Sequence, residues 1–296
     1  MAGHPIPHLS GVEHRTVRVR GLEMHVAEAG EGEPLVLLHG WPQHWYMWRR
    51  LIPGLAERYR VIAPDLPGLG WSQAPSSGYE KETLAGDVLA LLDALGLERV
   101  RLAGHDWGGF IGFLLCLHHP GRVERFLALN ITHPWSRLGA RALPRFWYMA
   151  VLASPVLGPA ILRRSPGFVK RVLTGGGGHG EGFTEAELEA FAEVLRRPEG
   201  ARASQGYYRS FLLKEILPIM RGRYRDERLE VPTLLLFGKE DFAIPAEALE
   251  GYESHAEDMR VELVPGVGHF IAEQAPDLVL ERTLSFFAEV PALAGA

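Results

Sequence analysis

The sequence predicts an α/β fold in which helices flank a mostly parallel central sheet. Short apolar runs typical of buried strands alternate with helical patterns through the first 130 residues, and such alternation is typical of parallel sheets. From residue 134 to residue 228 the pattern changes to helical stretches broken by Pro and Gly. The alternation resumes at residue 232. We therefore predict one α/β core, formed by residues 1–133 and 229–296, with a helical lid (cap) inserted at 134–228.

The individual elements of the core follow from their residue patterns. Alternating apolar and polar residues predict an antiparallel pair of strands near the amino terminus, and continuous apolar runs predict buried strands after it. Apolar residues at helical spacing predict the intervening helices, one of which is closed by Gly96. The predicted strands comprise residues 16–20, 24–28, 34–38, 60–63, 99–103, 123–129, 232–238 and 261–264. The predicted helices comprise residues 45–57, 83–95, 110–115 and 277–287.

Four helices and a glycine-rich loop are predicted in the lid. Thr184, with Glu187 three residues later, forms a capping box at the start of the third helix. The glycine run lacks the spacing and the preceding strand of a phosphate-binding loop, so we predict a flexible lid loop. A lid between two strand-bearing halves would cover the carboxyl ends of the strands, where open α/β sheets bind ligands. The predicted helices comprise residues 143–152, 157–173, 184–195 and 204–216, and the loop comprises residues 175–180.

The composition is that of an ordinary globular chain. It has 296 residues, 47% hydrophobic content and a formal charge of −5. No basic run typical of nucleic-acid binding, no apolar signal core and no apolar stretch of roughly 18 to 20 residues, the length of a membrane span, is present, so we expect a cytoplasmic protein. The single cysteine, Cys116, excludes disulfides within the chain and is predicted to be buried. The histidines lack metal-binding spacing, so we expect neither a metal nor a cofactor.

Asp106 stands at a sharp turn between a predicted strand and a predicted helix. The run is Gly-His-Asp-Trp-Gly-Gly, residues 104–109, and its glycines allow the turn its tight geometry. Many enzymes with such a turn expose a nucleophilic serine there, at the carboxyl end of the strand. A carboxylate is a weak acyl nucleophile, but it can displace a leaving group from a saturated carbon. That attack leaves an alkyl ester on the enzyme, which water must then hydrolyse.

His269 and Asp241 supply the residue types that the second step needs. Both follow predicted strands, and with Asp106 they give the chain order nucleophile, acid, histidine that accompanies such a turn. We assign His269 to remove a proton from the attacking water and Asp241 to orient and stabilise its imidazole. The neighbouring Glu240 is the alternative acid. Asp106 itself needs no base, because a carboxylate is ionised near neutral pH.

The backbone N–H groups of Trp41 and Trp107 are the predicted oxyanion-hole donors. The oxyanion of the second step forms on the carboxyl group of Asp106 itself, so the donors must surround that group. The usual donors are the residue after the nucleophile, here Trp107, and a residue in a loop after an earlier strand. Trp41 lies in such a loop, His-Gly-Trp-Pro at residues 39–42, for which a simple strand-ending turn is the alternative interpretation.

Together these motifs resemble the α/β-hydrolase superfamily and, within it, the epoxide hydrolases. The resemblance covers residues 17–287 and is strongest in residues 39–42, 45–49, 65–70 and 104–109. It implies an α/β-hydrolase fold, a carboxylate nucleophile, a pair of histidine and acid, and lid tyrosines that hydrogen-bond the epoxide oxygen as the ring opens. It also implies that the partners in the reaction are a small-molecule epoxide and water.

The resemblance further indicates which lid tyrosines donate. In Tyr-Tyr-Arg at residues 207–209, Tyr208 matches the ring-opening phenol of the family, with packing in the lid core as the alternative. Phe191 stands where many members carry the second tyrosine, and it has no hydroxyl. Another branch of the family places its second donor earlier, and residues 146–149 resemble that segment, so Tyr148 is the predicted second donor. A phenol suits this task because its neutral OH can donate to, and then protonate, the developing alkoxide.

Two other functions are left open by the sequence. Haloalkane dehalogenases share the fold and the carboxylate nucleophile, but this sequence has Trp41 where many of them carry Asn or Glu. Fluoroacetate dehalogenases usually carry arginine directly after the nucleophile, where this sequence has Trp107. A non-catalytic ligand receptor would not be expected to keep Asp106, Asp241 and His269 together. Tryptophans in the motif loops and the lid indicate a hydrophobic epoxide, and the sequence leaves the oligomeric state, including a homodimer, open.

Overall fold

One eight-stranded sheet organises the protein. The computed structural model describes residues 5–136, 147–175, 177 and 182–289. The strands are β1 (Glu13–Val19), β2 (Leu22–Ala29), β3 (Glu33–Leu38), β4 (Tyr59–Pro64), β5 (Val100–His105), β6 (Val123–Leu129), β7 (Thr233–Gly238) and β8 (Met259–Val264). Their order across the sheet is β1-β2-β4-β3-β5-β6-β7-β8. Strand β2 pairs antiparallel with β1 and β4, and all other pairs are parallel. The predicted mostly parallel sheet is confirmed.

Helices occupy the connections between the strands. Before β7 they are α1 (Ile52–Ala56), α2 (Lys81–Ala94), α3 (Trp107–His118), α4 (Trp147–Ala153), α5 (Leu157–Arg164), α6 (Pro166–Thr174), α7 (Glu185–Arg196), α8 (Pro198–Ser210) and α9 (Ile216–Met220). Helices α10 (Ile271–Gln274) and α11 (Pro276–Ala288) follow β8. A π-helical turn, Phe211–Glu215, joins α8 to α9, and short 3-10 turns lie at Trp45–Trp48, Pro120–Arg122 and Ala246–Leu249.

Two predicted helices are wrong because each one contains a proline. The helix predicted at residues 45–57 is a 3-10 turn followed by α1, which has Pro53 in its first turn. The helix predicted at residues 157–173 is divided into α5 and α6, with Pro166 at the start of α6. Proline has no backbone N–H and clashes with the carbonyl four residues earlier, so it is accommodated in the first turn of a helix but not in its interior.

The remaining helices of the segment between β6 and β7 agree with the sequence in part. Helix α7 begins with the predicted capping box, in which Thr184 accepts from the backbone of Glu187 and Glu187 accepts from that of Thr184. The helix predicted at residues 204–216 begins earlier, at Pro198, and ends in the π-helical turn. Residues 143–146 of the first predicted helix and most of the predicted loop at 175–180 lie outside the described residues.

The order of the strands brings two loops together at one edge of the sheet. Strands β4 and β5 lie on opposite sides of β3. Successive strands are therefore added on one side of β3 up to β4 and on its other side from β5 onward. Leu38 at the end of β3 pairs with Gly104 near the end of β5. The loop that contains Trp41 and the turn that contains Asp106 therefore leave the sheet side by side. Open α/β sheets bind ligands at such a position.

Candidate active site

Asp106 lies in a strained turn between β5 and α3. Its backbone has φ 50° and ψ −125°, and φ values in this range are rare for residues other than glycine. A side chain on Gly108 would place its first carbon 2.4 Å from the carbonyl oxygen of Leu38, so only glycine lets the start of α3 approach β3 this closely. Strain of this kind typically costs about 1–3 kcal/mol and must be offset by the surrounding packing. The turn holds the carboxylate at the carboxyl edge of the sheet.

The backbone N–H of Trp41 donates to the Asp106 carboxylate, and that of Trp107 lies beside it. The N–H of Trp41 lies 2.9 Å from Asp106 Oδ2, and the N–H of Trp107 is near enough to the same side chain to lower its pKa. Gly40 permits this approach, because a β-carbon there would lie 2.4 Å from Asp106 Cβ. His39 fixes the loop: its Nε2 accepts from the N–H of Leu66, so its proton is on Nδ1, which donates to the Gly40 carbonyl.

His269 lies beside Asp106 and is oriented by Asp241. Its Nδ1 donates to Asp241 Oδ2 at 2.8 Å, and its Nε2 lies 3.9 Å from Asp106 Oδ1. The second distance is too long for a hydrogen bond, so Nε2 faces the Asp106 carboxylate without bonding to it. The alternative acid, Glu240, is exposed to solvent, whereas Asp241 is buried. The structure therefore brings Asp241, and not Glu240, to the imidazole.

Asn130 holds the buried Asp241 carboxylate and is a residue that the sequence reasoning missed. Its Nδ2 donates to Asp241 Oδ2 at 2.8 Å, and its Oδ1 accepts from the N–H of Gly238. The other oxygen of Asp241 accepts from the N–H groups of Ala243 and Ile244. Asn130 has φ 41°, a conformation that asparagine tolerates better than most residues. An asparagine directly after β6, at the same edge as the other loops, is the signal that could have identified it.

The three side chains shift one another's protonation. Burial raises the pKa of Asp106 above its ordinary value, although His269 and the N–H groups of Trp107 and Trp41 lower it. Burial lowers the pKa of His269, but the charge and hydrogen bond of Asp241 and the charge of Asp106 outweigh burial, so the net pKa of His269 is raised. Burial also raises the pKa of Asp241, and its contacts with His269 and Asn130 reverse that shift. Asp241 therefore stays ionised next to the imidazole.

Tyr208 and Tyr148 reach the same site from α8 and α4. The rings of Tyr208 and Trp41 meet edge to face at 5.2 Å, and the centroids of the Tyr208 and Tyr148 rings are 6.0 Å apart. The Trp41 indole N–H also donates to Ser204 Oγ on α8, at 3.0 Å. Burial raises the pKa of both phenols, and the charge of Asp106 raises them further. Both phenols therefore remain protonated hydrogen-bond donors at any physiological pH.

A small apolar cavity of about 70 Å³ is lined by five of the seven predicted site residues. Asp106, Trp107, Tyr148, Tyr208 and His269 line one part of it. The remaining wall is mostly aliphatic and aromatic, and consists of Phe110, Ile131, Thr132, His133, Ser136, Met149, Phe211, Ile216, Ile219, Met220, Ala243 and Ile244. Phe191 is fully buried elsewhere, against the rings of His44 and Phe183, and is not among the lining residues. The predicted nucleophile, histidine and two phenols thus meet at one cavity, and Trp41 and Asp241 contact Asp106 and His269 from outside its lining.

Three further features of the described residues concern metal ions, the single cysteine and membranes. No group of three or more His, Cys, Asp or Glu side chains in the described ranges is arranged to hold a metal ion. Cys116 is fully buried in α3, where burial raises the pKa of its thiol well above the ordinary value, as predicted for a packing residue. None of the helices within the described parts of the chain has the length and apolar character that crossing a membrane requires.

Comparison with known proteins first defines the class. Residues 33–157 match the family model described as the alpha/beta hydrolase fold. This match spans β3 through the turn that contains Asp106 to the start of α5, and the fold it describes agrees with the observed sheet. The protein is an α/β hydrolase.

Individual relatives define the family within that class. The soluble epoxide hydrolase of Corynebacterium sp. (strain C12) is 31% identical over 287 residues, which cover 94% of this chain and 98% of that protein. The solved structure of the epoxide hydrolase CorEH without ligand has a TM-score of 0.83 and 30% identity, covering 94% of this chain and 99% of that one. Epoxide hydrolase VrEH1 from Vigna radiata has a TM-score of 0.82 and 28% identity, covering 94% and 98%. The chain belongs to the epoxide hydrolase family, which confirms the resemblance found in its motifs.

Proposed function

We propose that the protein hydrolyses a hydrophobic epoxide to a vicinal diol through an alkyl ester on Asp106. The observation that carries this proposal is the carboxylate in the nucleophile turn, whose own Oδ2 accepts from the N–H of Trp41. Oxyanion-hole donors directed at the nucleophile itself suit an intermediate whose carbonyl belongs to Asp106. Membership of the epoxide hydrolase family supports the same reaction.

In the first step, Asp106 attacks a carbon of the epoxide. Its Oδ2 accepts from the N–H of Trp41, so Oδ1, on the side of His269, is the attacking oxygen. A new carbon–oxygen bond forms as the ring carbon–oxygen bond breaks, and the electron pair goes to the epoxide oxygen. Tyr208 and Tyr148 donate hydrogen bonds to that oxygen, and one of them transfers its proton to it. Their raised pKa values keep both phenols protonated until the ring opens.

In the second step, water hydrolyses the ester. His269 Nε2 removes a proton from the water as it attacks the carbonyl carbon of Asp106, and Asp241 stabilises the imidazolium that forms. The negative charge develops on Oδ2 and is stabilised by the N–H groups of Trp41 and Trp107. As the ester bond breaks, the imidazolium returns its proton to the leaving oxygen, the diol is released, and one oxygen from water stays in the carboxyl group. The proton that this carboxyl group loses on ionising restores the phenol that was deprotonated in the first step.

The division into an α/β core, residues 1–133 and 229–296, and a cap, residues 134–228, is part of this proposal. Support comes from the chain order, because helices α4 to α9 lie between β6 and β7. Within the described part of this segment, the two tyrosines are the only residues to which a role in the reaction is assigned. In this arrangement the core supplies the nucleophile and the water-activating pair, and the cap supplies the proton for the leaving oxygen. The small apolar cavity indicates a compact hydrophobic epoxide.

A product assay combined with isotopic labelling tests the proposed function. Diol release from aromatic and aliphatic epoxides is compared with halide release from chloro- and bromoalkanes, and diol is the expected product. Halide without diol would favour the haloalkane dehalogenase alternative, and ligand binding without either product would favour a receptor. In a single turnover in heavy-oxygen water, label is expected in the Asp106 carboxylate. Label in the diol alone would mean that water attacks the epoxide directly.

Loss of either phenol is expected to slow ester formation and spare ester hydrolysis. Tyr208→Phe and Tyr148→Phe each remove one donor to the epoxide oxygen, and general-acid groups contribute about 10²- to 10⁴-fold. Because the partner phenol remains, we expect each single variant to slow ester formation about 10- to 100-fold, and the double variant to slow it further. Stopped-flow measurement of the two steps separates them. Tyr59→Phe, a buried tyrosine far from the cavity, is the control and should change neither rate.

The two steps should differ in their dependence on pH. Ester formation needs an ionised Asp106, whose pKa is raised, so its rate should begin to fall at a pH above the usual carboxyl range. Once the ester has formed, Asp106 is neutral and no longer raises the pKa of His269. Ester hydrolysis should therefore persist to a lower pH than the His269 pKa of the free enzyme would allow. Single-turnover rates of both steps, compared with the His269 pKa from NMR, test this, and an equal or higher value for hydrolysis would contradict it.

A further inference from the structure

The ammonium group of Lys81 is completely buried at the base of the candidate active site. Lys81 has no exposed surface, although lysine is among the residues least often buried. Its Nζ donates to Glu215 Oε2 at 3.0 Å, to the carbonyl of Tyr207 at 3.1 Å and to that of Tyr79 at 3.3 Å. All three protons of the ammonium therefore have acceptors, which fixes its position.

Glu215 reaches Lys81 because the helix after α8 is widened. In the π-helical turn the N–H of Ile216 donates to the carbonyl of Phe211, five residues earlier, so the turn contains one residue more than an α-helical turn. Glu215 is buried, and its second oxygen accepts from the backbone N–H of Lys81 at 2.7 Å. It thereby caps the amino terminus of α2, whose preceding residue, Glu80, makes no side-chain cap. One carboxylate thus joins the widened turn to α2.

The same ammonium contacts groups both in the nucleophile turn and on α8. Lys81 Nζ lies 4.5 Å from the centroid of the Trp107 ring, within the range of a cation–π contact. The Trp107 ring in turn meets the ring of Tyr208 at 5.9 Å and that of Phe211 at 4.9 Å. The carbonyl that accepts from Lys81 belongs to Tyr207, the residue directly before Tyr208. Both the ring against Tyr208 and the backbone that carries it are held by one cation.

We propose that Lys81 is a positioning residue that holds the Tyr208 phenol in place for ring opening. The proposal rests on the proposed function, because it assigns Lys81 to the step in which Tyr208 donates. Two apolar residues could fill the same volume without the cost of burying two charges. An ammonium that donates to three acceptors and lies against one aromatic ring instead fixes the direction of each contact. Such precision matters because a displacement of about 1 Å in the position of a catalytic donor can lower the rate about 10²-fold.

A double-mutant cycle on the two half-reactions tests this role. Lys81→Met combined with Glu215→Gln removes both buried charges while the glutamine oxygen can still cap α2, so the pair avoids an uncompensated charge. We expect ester formation to slow at least about 10-fold and ester hydrolysis to change less than about 3-fold, because Tyr208 acts only in ring opening. In a Tyr208→Phe background the same pair should slow ester formation less than about 2-fold. Lys214→Met, an exposed lysine in the same turn, is the matched control.

Each outcome of the cycle either supports or contradicts the positioning role of Lys81. Multiplicative slowing in the Tyr208→Phe background, or an equal loss in both half-reactions, would mean that Lys81 serves only general stability and would overturn the inference. No change in ester formation would overturn it as well. If the wild-type protein forms no ester from any epoxide, the proposed function fails and this inference fails with it; a wild type that forms ester and diol leaves the proposed function standing whatever the cycle gives.

Discussion

Replacing His269 with glutamine is expected to stop turnover with the alkyl ester trapped on Asp106. Glutamine cannot accept a proton from water, so the second step loses its base, whereas the first step needs only an ionised carboxylate. General-base groups contribute about 10²- to 10⁴-fold, and we expect the rate of ester hydrolysis to fall about 10³-fold. Ester formation should remain fast, because Nε2 makes no hydrogen bond to Asp106. Intact-protein mass spectrometry after mixing should show the protein plus one epoxide.

Asp106→Ala is the matched control for this experiment. It removes the nucleophile, so neither ester nor diol should form, while the cavity wall stays otherwise intact. Peptide mapping of the His269→Gln adduct should place the added mass on Asp106. An adduct of equal yield in both variants would contradict the roles assigned to the two residues.

Asp241→Asn is expected to impair ester hydrolysis almost as strongly. The Asp241 oxygen that faces His269 also accepts from Asn130, so it meets two donors at once. The other oxygen accepts from the backbone N–H groups of Ala243 and Ile244, and an asparagine that keeps these two bonds directs its NH₂ group at the imidazole, which would require Nδ1 to accept. The proton would then be on Nε2, which could no longer take one from water. Loss of the correct tautomer in a comparable triad costs about 10⁴-fold, and we expect about 10³- to 10⁴-fold here.

Glu240→Gln supplies the control for that prediction. Glu240 is the alternative acid in the sequence, but its side chain is exposed next to the site. Its substitution should leave both half-reactions within about 2-fold, since surface changes outside specific contacts have small effects. Ester should accumulate in Asp241→Asn and not in Glu240→Gln. The reverse result would exchange the roles of the two residues.

The fold was largely accessible from the sequence because strand signals are local. A buried parallel strand is apolar along most of its length, so β7 could be located from composition, as could β5 and β6, whose charged residues lie near their starts. The extents of the helices were harder to predict from the sequence. The periodicity across residues 45–57 and 157–173 predicted two long helices, yet a proline inside each one ended the hydrogen-bond ladder.

The sequence by itself determined the residues on which the proposed chemistry depends: an aspartate in the turn after β5, a histidine and an acid in the matching order, and the glycines that the turn requires. These signals can be found in the amino-acid sequence because each depends on a residue type and its neighbours in the chain. Only the tertiary structure decided which partners those residues meet. In it His269 bonds to Asp241 and not to Glu240, and Asn130 donates to the Asp241 carboxylate. The buried Lys81 lies against the Trp107 ring. Such contacts join residues far apart in the chain, and their energies depend on burial and distance, which no local pattern records.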